Sequence, residues 1–274
     1  MRATFASRAR AIPQRVASDP ALFAVSALLF VASAALTIAV YASMSARGGM
    51  AIPGGSTMSM TWMPMPGQTW SAAAASFVGM WAVMMVAMML PSLVPMLWRY
   101  RRAVRGAAGR RLGRLTALVG AGYFLVWTMV GIAAHATGVA LAEVAMWQPA
   151  LARLAPIAVG AVVSIGGALQ FTAWKTRHLA CCRGAPGPGR TLPANTVTAL
   201  RHGLSLGVHC TYCCGGMMAI LLVIGVMDLR AMAAMTAFIT AERLAPGGEG
   251  VARAIGAVIV GAGVLLILRA AGGG

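Results

Sequence analysis

The sequence predicts an all-α protein: a polytopic transmembrane bundle of about seven helices with its N-terminus in the cytoplasm. Hydrophobic residues make up 59% of the 274 and charged residues only 10%, and the mean hydropathy is +0.80, too apolar for the surface of a soluble domain. Runs of about 20 apolar residues, the length that crosses ~30 Å of hydrocarbon, recur along the chain. The 22 Lys and Arg, set against five acids, sit in the short connections between these runs. A net charge of +17 therefore has a plain explanation at a membrane surface, with lipid as the partner, and a nucleic-acid reading is poor.

Residues 1–20 read as a basic cytoplasmic N-terminus. The first apolar run, 21–43, follows Arg2, Arg8, Arg10 and Arg15, and no small-x-small cleavage site succeeds it, so it reads as a retained signal anchor. Residues 44–70 form an outer, Met-rich loop. The remainder, 71–274, is a helical membrane domain with spans near 72–98, 115–136, 155–174, 203–227, 230–245 and 252–269. The run 230–245 is short and carries Arg230, Glu242 and Arg243 at its ends, so an interfacial segment there, and six spans in all, is the alternative. Small residues at four-residue spacing in the last span, Ala252, Gly256, Ala257 and Gly261, would let it pack closely on a neighbour.

Orientation follows from the cations, since basic loops stay on the cytoplasmic side. With the N-terminus inside, the inner connections at 99–114 and 175–202 and the inner ends of the spans collect eighteen of the 22 cations, leaving only Arg47, Arg153, Arg230 and Arg269 outside.

Sulfur is the chemical signal. Six of the 20 Met lie in the outer loop, at Met44, Met50, Met58, Met60, Met63 and Met65, and six in the second span, at Met80, Met84, Met85, Met88, Met89 and Met96. Thioethers are soft, uncharged donors that suit Cu(I) and survive where thiols would oxidise; equally, Met fills gaps in apolar packing. At 100° per residue, Met80, Met84 and Met88 make one line and Met85, Met89 and Met96 another, so one line would face a partner helix and the other lipid. Pro91 and Pro95 each free a carbonyl inside the membrane, which suits a helix that lines a site.

All five Cys fall in the second half. Cys210, Cys213 and Cys214 share a face of the fifth span, Met217 continues it, and His209 sits at its shoulder. Three thiols on one face suit a metal or redox site, although single buried Cys are commonly inert. If helix continues past the fourth span, His178 and Cys182, with Cys181 beside them, come within one turn, and Lys175, Arg177 and Arg183 would favour thiolate there; a basic membrane anchor with incidental Cys is the plainer reading. Counting depth at 1.5 Å per residue brings Met88 level with Cys214, so the second and fifth spans are expected to touch, with Met84 and Met88 facing Cys210 and Cys214. Glu242 is costly inside a membrane unless paired, with Lys175 or an Arg as its partner. No Ser/His/Asp group, phosphate-binding Gly loop or carboxylate pair points to an enzyme.

Three stretches together resemble the bacterial family of predicted metal-binding integral membrane proteins, domain-of-unknown-function family 2182. They are Trp81 to Ser92, with its paired methionines and Pro91; Gly207 to Met218, with Cys210, Cys213 and Cys214; and Glu242 to Pro246. The resemblance spans roughly 75–270. In the family's Cys-Leu-x-x-Cys-Arg element after the fourth span, His178 replaces the first thiol here, and Gly215 stands where the family usually has Trp. The resemblance implies metal handling, with copper foremost, at a bacterial inner membrane. The residues then read as a soft-metal protein, Cu(I) above all, for uptake or delivery, with a metal chaperone or acceptor protein as partner. Zinc would suit the His and Cys but leave the Met unexplained. The competing readings are a membrane thiol redox protein, in which Cys210 and Cys213 cycle, and a scaffold without chemistry.

Overall fold

A computed structural model describes residues 19–45, 67–148, 154–184, 192–226 and 228–272. The outer Met stretch therefore lies outside the described residues, apart from Met44 at the end of the first helix, whose side chain is not described. Among the described residues there are eight α-helices and no strands: α1 Pro20–Ser45, α2 Trp70–Ala108, α3 Leu112–Trp147, α4 Ala155–Ala168, α5 Ala173–Gly184, α6 Thr196–Ile224, α7 Leu229–Leu244 and α8 Gly248–Gly272.

Every expected run is largely helical, and two departures have plain local reasons. The expected inner connection at 99–114 is mostly helix, because nothing after Arg99 interrupts α2 until Gly109, whose φ of 48° ends it. The expected single span 155–174 is broken: Thr172 is extended, its hydroxyl accepts from the Lys175 amide at 3.2 Å as a cap for α5, and the chain bends by 67°. The helix then runs on through His178 and Cys182. Five helices, α1, α2, α3, α6 and α8, are long and apolar enough to cross a membrane, six if the bent pair counts as one span. The 16-residue α7 is not among them.

Close packing comes from glycine. On α6, a Cβ at Gly203 would lie 2.2 Å from the Val119 carbonyl oxygen and one at Gly207 2.9 Å from that of Tyr123, so α3 and α6 meet backbone to backbone. The last helix uses Gly256, Ile259 and Gly263 against α4 and buries Ala252 as well, while Ala257 and Gly261 face outward. Of the expected small residues Ala252 and Gly256 are buried, but Ala257 and Gly261 are not, because a single residue step turns the helix by about 100° and carries Ala257 off the contact.

The second span corrects two expectations. Both Met lines of α2 are buried, Met84, Met85 and Met89 fully and Met88 and Met96 nearly so, leaving Met80 half-buried; neither line faces lipid. The reason is that α1, α3 and α7 all pack on α2. Its main neighbours do not include α6, whose glycine face is taken by α3. Trp81 locks α2 to α3 by donating its indole N–H to the Trp127 carbonyl at 2.8 Å, its ring seated over Gly131. At the end of the bundle near α1's start, Arg101 of α2 forms an ion pair with Asp19 at 2.8 Å. Outward faces carry Leu28, Val31, Leu141, Val258 and Leu268, all well exposed.

Candidate functional site

The site grows from three helical faces. Spacings of three and four put Cys210, Cys213, Cys214 and Met217 on the buried side of α6. On α5 the same spacing buries Lys175, Leu179 and Cys182 and turns Cys181 out to the surface. The last turn of α7 adds Glu242 and Arg243, both buried. All five Cys are free thiols. Cys182, Cys210 and Cys214 converge on one guanidinium nitrogen, and Cys213 lies beside Cys214 on the same buried face.

Arg243 stands inside this sulfur cluster. Its Nη2 donates to Cys210 Sγ at 2.7 Å and Cys214 Sγ at 3.4 Å and lies 3.9 Å from Cys182 Sγ, while Nη1 donates to Ser92 Oγ at 3.0 Å. Ser92 lies between Pro91 and Pro95 of α2, so the proline-rich part of that helix does line the site. The Tyr123 hydroxyl of α3 is 2.9 Å from Cys210 Sγ. The second and fifth spans touch directly where Tyr100 of α2 stacks on His202 of α6, ring centroids 5.3 Å apart; between Ser92 and the thiols the link runs through Arg243.

The charges are unevenly paired. Lys175 Nζ reaches Glu242 Oε2 at 2.6 Å and the Cys213 carbonyl at 2.8 Å, and Gln170 Nε2 donates to Glu242 Oε1 at 3.0 Å. The expected partner of the buried acid is therefore the observed one. Arg243 forms no ion pair with a carboxylate among the described residues. A buried guanidinium stays charged and needs an anion, and the groups placed to supply one are the thiols it touches. No group of three or more His, Cys, Asp or Glu among the described residues is disposed to hold an ion as it stands. The physical reason is visible: a guanidinium nitrogen lies among the three sulfurs that would share one.

The two histidines expected near thiols instead find each other. His178 of α5 and His209 of α6 have ring centroids 5.5 Å apart, with Trp174 4.5 Å and Tyr212 5.1 Å from His178. A small cavity of ≈ 60 Å³ runs inward from exposed Trp174 and Tyr212 to buried Lys175, Gln170, Cys213 and Met217. Sequence reasoning missed Arg243, Tyr123, Ser92 and Gln170 as parts of the cluster. The only signals for Arg243 and Ser92 were their places in the Glu242 to Pro246 and Trp81 to Ser92 stretches; Tyr123 gave none.

A family model named PpoB2 and described as copper chaperone matches residues 78–266, a span that contains every side chain of the cluster. No curated protein and no solved structure matches the chain.

Proposed function

The chain belongs to the PpoB2 copper chaperone family, and from that premise we propose that it is a multi-pass membrane protein that binds Cu(I) on the thiolates of Cys210, Cys213, Cys214 and Cys182 and passes it to an acceptor protein. A chaperone carries its metal and converts no substrate, so the chain is not an enzyme. The observation that carries the reading is the convergence of four buried thiols from α5 and α6 within the matched span. Soft thiolates suit Cu(I). Long apolar helices with exposed apolar outer faces support a place in the membrane, and the cation distribution supports a cytoplasmic N-terminus. In this reading the outer Met loop captures the ion, the methionines of α2, including Met80, Met84 and Met88, relay it, and Met217 borders the holding site.

The residues around the thiols have roles that chemistry dictates. Two thiolates on one monovalent ion make an anion, which is costly in a low-dielectric interior unless a cation stays beside it. Arg243 supplies that cation: it swings off the sulfurs as the ion enters and remains as counter-charge. Lys175 fixes the Cys213 turn of α6 through its carbonyl, and Tyr123 orients Cys210. Exchange of thioether and thiolate ligands requires no nucleotide. A dithiol–disulfide cycle has less support, because Cys210 and Cys213 stand three apart in the interior of one helix, about 5–6 Å between Cβ atoms, beyond the ~3.5–4.5 Å of a disulfide.

The test is competition between the purified protein and a coloured Cu(I) chelator. Wild type should hold copper that the C210S/C213S/C214S variant releases. Copper held equally by both proteins would remove the thiols from the account.

A further inference from the structure

We propose that His178 and His209 form a second, two-imidazole site for the same monovalent soft ion, at the outer end of the cavity that reaches Cys213. The proposal rests on the copper reading above and adds a port through which the buried thiols exchange their ion with an acceptor.

Four observations converge on it. His209 Nδ1 lies 2.7 Å from the Ser205 carbonyl oxygen. A carbonyl can only accept, so Nδ1 carries the proton and Nε2 is left as a free lone-pair donor, the arrangement in which metal-binding imidazoles are commonly held. His178 faces it from the other helix, and its buried Nδ1 has no hydrogen-bond partner, an unmet cost that a ligand would relieve. Metal–imidazole bonds of ~2.0 Å on either side place the two nitrogens about 4 Å apart, a separation that rings 5.5 Å apart reach by side-chain rotation. Finally, Trp174 and Tyr212 pack on His178 and also line the cavity with Cys213 and Met217. Their π faces attract a cation along the way in, and Met217 offers a thioether beside the thiol.

Two nitrogen donors suffice for a linear d10 ion, whereas a divalent ion such as zinc takes four ligands. Transfer leaves the oxidation state unchanged. Two metal–sulfur bonds break and two metal–nitrogen bonds form, the neutral imidazoles give up no proton, and of the vacated thiolates one keeps its charge beside Arg243 while the other takes a proton from the solvent.

The test uses Ag(I), a redox-inert monovalent probe, on the purified full chain in detergent, with bound metal counted per protein. Wild type should hold two ions, the H178Q/H209Q variant one, and the C210S/C213S/C214S variant one. Wild type holding one ion that the Cys variant loses would overturn the port and leave the thiol site standing. One ion lost only by the His variant would support the port and overturn the thiol site. No bound ion in wild type would overturn both. Should the His variant fail to fold, nitrogen-15 NMR of the Cys variant decides: Ag(I) should shift the ring signals of two of the four histidines, and unmoved signals would overturn the proposal.

Discussion

Replacing Lys175 by Met should leave Glu242 buried without its cation and destabilise the fold by about 3–5 kcal/mol. The pair is nearly sealed, with side chains 3% and 1% exposed and 2.6 Å between Lys175 Nζ and Glu242 Oε2. Gln170 retains its bond to Oε1, but an amide does not neutralise a carboxylate. Glu242→Met should cost a similar amount, because Lys175 then keeps only the Cys213 carbonyl. The double variant replaces both charges with apolar groups of similar volume, which is often neutral; its residual loss is the orphaned Gln170 amide, about 1–3 kcal/mol, since the Cys213 carbonyl keeps its hydrogen bond within α6. The double variant should therefore be at least about 2 kcal/mol more stable than the summed single losses imply. Reversible unfolding in mixed micelles, followed by helical circular dichroism, measures all four proteins. Strictly additive losses would refute a direct, sealed ion pair, and with it the way α5 is tied to α6 and α7.

Glycine contrasts on α8 test the packing by the same method. A Cβ at Gly256 would meet the Gly167 carbonyl oxygen at 2.9 Å, whereas one at Gly261 meets nothing within 4 Å; Gly256→Ala should lose about 1–3 kcal/mol, and Gly261→Ala should be neutral or gain up to ~1 kcal/mol. Arg243→Met removes the counter-charge of the loaded site, worth about 1.5–3 kcal/mol as for a hydrogen bond to a charged group, so Cu(I) affinity by chelator competition should fall about 10- to 100-fold; an unchanged affinity would strip Arg243 of its role as counter-charge. For topology, in a background with its native Cys replaced, a single Cys at Ser59 should label from outside intact cells and one at Ala107 should not, and the opposite pattern would invert the orientation.

Helix content was legible because apolar run length depends only on neighbouring residues, and the α6 cysteine face was legible because helical periodicity alone aligns Cys210, Cys213 and Cys214. The Lys175–Glu242 pair could be anticipated since a buried acid must find a cation and few were in reach. What the chain could not reveal was three-dimensional. Thr172 breaks a run that hydropathy reads as continuous. That break swings α5 across α6, bringing Cys182 to the other thiols and His178 to His209. Arg243 ends a short segment and resembles any basic membrane anchor; only the packing of α7 against α5, α6 and α2 carries it to the sulfurs. The second Met line looked destined for lipid because periodicity counts one buried face, whereas α2 has three neighbours.

The central claim is that sulfur holds the copper, and the most direct measurement is copper K-edge X-ray absorption on the purified chain loaded with less than one equivalent of Cu(I). The account predicts sulfur neighbours near ~2.3 Å, as for zinc thiolates, lost in the C210S/C213S/C214S variant. A first shell of nitrogen or oxygen alone in wild type, or a sulfur shell unchanged in that variant, would contradict it.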